Sequence, residues 1–246
     1  MKARDLILAT LVLLILWSAL AYWVNQPILP SPWLVLQALV VETFQGDLPL
    51  HFVASLWRVV AGTFISIALA VPAGLVLGQY QRVNRFFSPF IYILYPIPKV
   101  VFVPVVLLFL GIGDVSKITI IFLVLFFQIL VLVRDQALSL RPELFQSVRS
   151  LGAGRRALFR FVYLPASLPA ILTALRQSIG TAVAVLYITE LFATQRGLGY
   201  YIYFNGSTLL NYPAMYAGVI AMSLLGLGLY FAVDLLEYRL TPWTRN

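Results

Sequence analysis

Long apolar runs separated by short polar gaps dominate the chain. Six stretches, roughly 6–24, 52–78, 87–111, 116–138, 166–192 and 213–236, are nearly continuous in Leu, Val, Ile, Ala and Phe. The hydrocarbon core of a bilayer is about 30 Å thick, which takes ~20 residues of helix to cross. A lone strand at that depth leaves backbone groups unpaired, so helices are the form these runs predict. The expectation is an all-α, polytopic membrane helix bundle with about six transmembrane helices. It forms a single transmembrane domain over 1–246: a first span plus outer segment over 1–50 and a core over 51–240. Lys2 and Arg4 precede the first run, as in a signal peptide. That run is long enough to span, however, and Asn25-Gln26-Pro27 follows where small cleavage-site residues would stand, so a retained first helix is expected.

The polar gaps have structure of their own. In 25–50, Ser31 suits an N-cap and Pro32 the first helical position, and Leu34, Val35, Ala38 and Val41 follow at near-helical spacing. This predicts a short helix at the outer membrane surface. The third run carries Pro89, Pro96, Pro98 and Pro104. Two readings fit: ordinary kinks, or a broken helix around Tyr95-Pro96-Ile97-Pro98-Lys99 that lines a translocation path.

Charge orients the spans. With the N-terminus inside, Lys2, Arg4, Arg82, Arg85, Arg134, Arg141, Arg149, Arg155, Arg156, Arg160, Arg239 and Arg245 are cytoplasmic, against Lys117 and Arg196 outside. That bias predicts both termini in the cytoplasm, in a cell inner membrane. Of all residues 61% are hydrophobic and 11% charged, far from a soluble composition. The net charge of +8 is therefore topological, and nucleic-acid binding is not expected. With no Cys and one His, His51 at an outer boundary, no metal cluster is expected. Trp17, Tyr22, Trp23, Tyr200, Tyr201 and Tyr203 read as interface belts.

The longest basic loop runs from Arg134 to Pro165, and coupling helices are expected over 139–164. Pro142 and Glu143 suit a helix start, Leu144, Phe145, Val148 and Leu151 form one apolar face, and Gly152 is a stop. A second short helix is expected from Gly154 to Tyr163, ending before Pro165, with Arg156 and Arg160 on one face. The apolar faces either lie on the bilayer or bundle, or dock in a groove of another protein.

Here the residues resemble a known family. Arg149-Ser150-Leu151-Gly152-Ala153, then Phe161-Val162-Tyr163-Leu164-Pro165-Ala166-Ser167-Leu168-Pro169, is similar to the coupling-loop signature of binding-protein-dependent ABC transporter permeases. Leu29-Pro30-Ser31-Pro32, Ser55-Leu56-Trp57-Arg58-Val59, Pro96-Ile97-Pro98-Lys99, Gly111 to Lys117 and Gly197-Leu198-Gly199-Tyr200 resemble the nitrate/sulfonate/taurine-type branch. The resemblance implies the type I ABC importer permease fold. It implies a homodimer of permeases forming the path for a small solute, a small anion such as nitrate, a sulfonate or taurine, with a vitamin precursor or other small organic solute as the alternative. It also implies two cytoplasmic ATPase subunits that hold the ATP and Mg, and a periplasmic or lipid-anchored substrate-binding protein. Its coupling residues map to Gln146, Ser147, Val148, Leu151, Gly152, Ala153 and Arg156. The family's Glu-Ala-Ala positions read Gln146-Ser147-Val148, which removes a charge. No G-x-x-x-x-G-K-[ST] motif occurs, so P-loop ATP hydrolysis is not expected of this chain, and no catalytic residue or bound cofactor is expected either.

Five residues are candidates for the path: Tyr95, Pro96, Lys99, Arg176 and Glu190. Lys99 is the candidate anion-attracting charge. Glu190 is either functional or a structural acid paired near the outer end of its helix. Arg176 either meets an anion or anchors at headgroups, and it lies about 21 Å from Glu190 along a straight helix. Arg58 is expected to snorkel. A secondary transporter would need intramembrane charge pairs and repeated halves, which the sequence does not display. A membrane-embedded enzyme would need a cluster of catalytic groups at one depth, and the acids are sparse.

Overall fold

Leu, Val, Ala and Ile runs without a polar interruption leave the backbone no partner but itself, and helices result. The computed structural model describes residues 3–150, 152, 154–192 and 194–244, and no strand occurs among them. In order these are α1 (Ala3–Val24), α2 (Pro32–Phe44), α3 (Leu48–Gln79), α4 (Gln81–Leu94), α5 (Val103–Leu110), α6 (Asp114–Leu138), α7 (Pro142–Arg149), α8 (Arg155–Leu158), α9 (Leu164–Leu191), α10 (Leu198–Tyr203) and α11 (Tyr212–Leu240). Five helical stretches are long and apolar enough to cross a membrane. The sixth predicted span is a bent pair: Gln81–Leu94 and Lys99–Leu110 meet at 74°.

The break falls where the proline chemistry is strongest. Pro89 sits inside α4 and Pro104 in the first turn of α5, where no amide hydrogen is needed. The helix ends at Tyr95, which is itself still in helical conformation, because Pro96 and Pro98 supply no amide hydrogen to continue the ladder. The third run is therefore broken and not merely kinked. In the outer segment, α2 starts with Pro32 in its first turn, and Ser31 takes the N-cap position without a side-chain cap bond.

The chain divides into two compact units, Met1–Ser55 with Glu190–Leu224, and Leu56–Thr189 with Leu225–Asn246. Where the sequence reads as one continuous domain, each unit is assembled from two separated stretches. In the first, the Trp17 indole donates to the Pro30 carbonyl at 3.1 Å and its ring lies 5.8 Å from Tyr216. Gly218 allows the Tyr201 and Ile202 side chains to within 2.8 Å of where a Cβ would stand.

In the second unit, α3 presents a stripe of small residues every fourth position: Gly62, Ser66, Ala70, Gly74 and Gly78. Ser66 and Ala70 are fully buried. Gly62 faces Ile121, Gly74 faces Val133 and Gly78 faces Ala137. The two series climb together, so α3 and α6 run parallel. Small residues let two helix backbones approach closely, and dispersion then replaces the hydrophobic driving force that lipid removes. The Ser66 hydroxyl is satisfied by the Gly62 carbonyl at 2.7 Å. A second cluster joins Leu175, Ile179 and Val233, with Ile67, Val183 and Leu229 against it.

Candidate coupling segment and translocation path

The loop after α6 folds as two helical pieces around a glycine. Arg141 precedes α7 in extended conformation, Pro142 opens it, Glu143 sits in its first turn and Arg149 in its last, so both dipole ends are matched. Gln146, Ser147 and Arg149 are exposed and Val148 is half-buried. The Ser147 hydroxyl donates back to the Glu143 carbonyl at 3.0 Å. Gly152 has φ +79°, its amide donates to the Arg149 carbonyl at 2.9 Å, and nothing lies within 4 Å of where its Cβ would be. A left-handed residue ending a helix suits glycine, and the open space beside it leaves room for another protein. Arg156 is exposed. Leu151 and Ala153 lie outside the described residues.

The second piece differs from the expectation of a helix ending before Pro165. Residues 155–158 form α8, 159–163 a π turn, and α9 follows without a break. The Leu164 amide donates to the Phe159 carbonyl, five residues back. The widened turn takes up the bond and the space that Pro165 would disrupt in a regular helix. Leu144, Val148, Phe161, Val162, Pro165 and Trp243 line a cavity of about 420 Å³ between these pieces. The apolar face of α7 is thus partly spent on its own chain, and its polar residues point outward.

The break in the third span is held by one side chain. At the end of α4 the Lys99 ammonium donates to the Leu94 and Tyr95 carbonyls at 2.8 and 2.6 Å, and the Leu94 carbonyl also accepts the Ile97 amide at 3.3 Å. It also stands 4.6 Å from the centre of the Phe127 ring. Lys99 therefore caps a broken helix. Tyr95 and Pro96 beside it are exposed and line a cavity of about 740 Å³.

Two further cations are engaged. Arg176 on α9 meets Asp234 at 2.8 Å and Glu237 at 3.2 Å, both on α11. The Thr173 hydroxyl donates to Glu237 at 3.3 Å. Arg58 is 4% exposed and holds Asp114 at 2.7 Å at the start of α6, so it does not snorkel. Charge pairs between span helices therefore exist, contrary to the reading of the sequence. The signal was present: Asp234 and Glu237 stand three residues apart, on one face of a helix.

Glu190 is fully buried in a knot within the first unit. Its carboxylate accepts the Ser55 hydroxyl at 2.8 and 2.9 Å and the Gly199 amide at 2.9 Å. Ser55 Oγ accepts the Leu198 amide at 2.7 Å, and His51 Nδ1 accepts the Gly197 amide at 3.0 Å. The Gly197 carbonyl oxygen stands 3.1 Å from the same ring nitrogen. The His51 ring stacks on Tyr200 at 5.8 Å. Gly197, with φ +124°, opens α10, and three successive amides at that helix start thus find partners on other segments. Burial, reinforced by the Glu42 and Asp47 carboxylates, pushes the Tyr201 phenol well above its usual range.

Residues 62–246 match the family described as the binding-protein-dependent transport system inner membrane component. The chain belongs to this family of permeases. It is 31% identical over 239 residues to the taurine transport system permease protein TauC of Escherichia coli (strain K12), covering 94% of this chain and 86% of that one. It is 29% identical over 246 residues to the formylaminopyrimidine transport permease protein ThiX of Halalkalibacterium halodurans, covering 100% of this chain and 98% of that one. A chain of the inward-facing MetNI methionine ABC transporter superposes with a TM-score of 0.71 at 21% identity, covering 81% of this chain and 99% of that one. The fold is that of a type I ABC importer permease, and the protein is a multi-pass membrane protein. As a permease, the chain holds its helices with the knot around Glu190, the Arg58–Asp114 pair and the α3–α6 stripe; Ser55, Arg58, Asp114 and Gly197 to Gly199 all fall in the stretches that resemble the branch.

Proposed function

We propose that this permease is the transmembrane subunit of an ATP-driven importer in the cell inner membrane, working as a homodimer. Two separate cytoplasmic ATPase subunits, which carry the ATP and Mg, receive α7. An outer substrate-binding protein delivers the solute, and the solute is a small molecule with an anionic sulfonate head, such as taurine or another sulfonate. The observation that carries this is the coupling segment: a short helix with Gln146, Ser147 and Arg149 exposed, ended by Gly152 in a left-handed turn with open space around it. A helix seated in a partner's groove transmits that partner's closure as a rigid-body shift, and the broken third span beside Tyr95 and Pro96 offers the path. Lys99, Arg176 and Glu190 each have protein partners, so we assign them to holding that path rather than to meeting the solute.

The likeness to a taurine permease supports the anion, and the likeness to a formylaminopyrimidine permease supports a vitamin precursor as the second reading. The test is to express the chain with the neighbouring ATPase and binding-protein genes, purify through the permease and measure uptake of labelled taurine. The ATPase should co-purify, and Gly152→Asp should abolish uptake while leaving the permease in the membrane. Aspartate tolerates the left-handed region better than most residues, and among the described residues nothing lies within 4 Å of where its Cβ would stand. A permease that brings down no ATPase, together with a Gly152→Asp variant that still transports, overturns the coupling assignment.

A further inference from the structure

Helix α4 has two unlike faces. Phe86, Phe87, Phe90 and Leu94 line an apolar recess of about 480 Å³ with residues of α3 and α6. Gln81, Asn84, Arg85, Ser88 and Tyr92 recur every three or four residues on the other face, a polar stripe leading to the break at Tyr95. The stripe borders the cavity of about 740 Å³, and Arg134 of α6 completes it. Within the stripe the Ser88 hydroxyl reaches only Asn84, at 3.2 Å, and Arg85 has no acidic partner among the described residues. Arg134 shares its charge with the exposed Asp135 at 2.8 Å, and neither Asp nor Glu lines the cavity itself.

Polar side chains along a spanning segment are costly against hydrocarbon and settle where water or protein meets them. Beyond the Ser88–Asn84 bond and the Arg134–Asp135 pair, no described residue meets them, so the stripe faces water. Guanidinium groups, a hydroxyl, a phenol and carboxamides, with no carboxylate among them, form a donor set for a small oxyanion. We propose that this cavity is a transient site for the transported solute, which it holds by a sulfonate-type anionic head through Arg85, Ser88 and Tyr92. A roomy cavity with one unpaired cation binds weakly, which suits a group that must also leave. The inference rests on the permease reading and names the residues and the solute chemistry of its path.

The chain has no cysteine, so Ser88→Cys gives a single thiol without further engineering. The full chain in nanodiscs is labelled with two thiosulfonate reagents, one anionic (sulfonatoethyl) and one cationic (trimethylammonioethyl). Ser88→Cys should react with both. Adding Arg85→Gln should lower the anionic-to-cationic rate ratio at least about threefold, the effect of one unit charge several ångströms away in a largely aqueous site. Millimolar taurine or inorganic sulfate should slow the reaction, in zwitterionic and anionic lipid alike. Asn84→Cys repeats the measurement should Ser88→Cys elute as an aggregate. A thiol inert at both positions, a ratio indifferent to Arg85, or protection by anionic lipid alone overturns the proposal. No ATPase or binding protein is used. A failed co-purification would therefore sink the importer reading without touching this result, and the converse also holds.

Discussion

Single side chains carry much of the structure because lipid offers no substitute for a lost partner. Glu190 accepts from Ser55 and from the Gly199 amide, and both donors are buried with it. Glu190→Gln turns an amide NH₂ toward groups that themselves donate. Leaving such donors unsatisfied costs about 1–3 kcal/mol. Thermal unfolding followed by gel filtration should show Glu190→Gln clearly destabilised and Ser55→Ala less so. Equal stability of Glu190→Gln and the parent would remove the knot from the account. Arg176 gives a second check. Arg176→Met strands Asp234 and Glu237, whereas Arg176→Met with Asp234→Asn and Glu237→Gln leaves no uncompensated charge. The triple variant should be the more stable of the two, since an unpaired charge costs more than a missing pair. Glu190 was visible in the sequence as an acid in an apolar run. Its partners were not, because Ser55 lies 135 positions away.

Between elements, backbone proximity decides. Gly74 stands with the Val133 side chain 2.9 Å from where its Cβ would lie, so Gly74→Leu forces α3 and α6 apart. A loss of several kcal/mol is expected for overpacking of this kind in a close helix pair. Gly228→Ala, at a helical position with nothing within 4 Å, should be neutral or slightly stabilising in the same unfolding experiment. If both behave alike, the stripe is not a packing surface. The broken span makes a parallel case. Lys99→Met keeps the stem but removes the donors to the Leu94 and Tyr95 carbonyls, so limited proteolysis should cut faster near 95–98 than in the parent. The stripe at Gly62, Ser66, Ala70, Gly74 and Gly78 was legible as spacing in the sequence, yet small residues in a span do not say which helix they meet.

At the scale of the molecule, the coupling segment separates folding from function. Gln146 is exposed on α7, and Gln146→Glu restores the charge that the resemblance to the coupling-loop signature implies at this position. Exposed substitutions usually change stability by less than about 0.5 kcal/mol. The variant should therefore unfold with the parent while retaining the ATPase at higher salt during purification. A shift in the permease's own stability, with ATPase retention unchanged, would place Gln146 in the chain's interior economy instead of at a contact.

The apolar runs alone determined that this is a helical membrane protein, roughly where each helix lies, and that the loop around Gly152 is its most distinctive segment. Those properties are local: hydrocarbon thickness sets helix length, and proline and glycine set helix ends. Only the tertiary structure decided what the charges do. Arg58 clamps Asp114, Arg176 bridges to α11, Lys99 caps a broken helix, and Glu190 gathers the start of α10. A buried charge survives only beside a partner. Except for Lys99, which caps carbonyls four and five residues back, the partner is supplied by a segment distant in sequence, so it is read from packing and not from spacing.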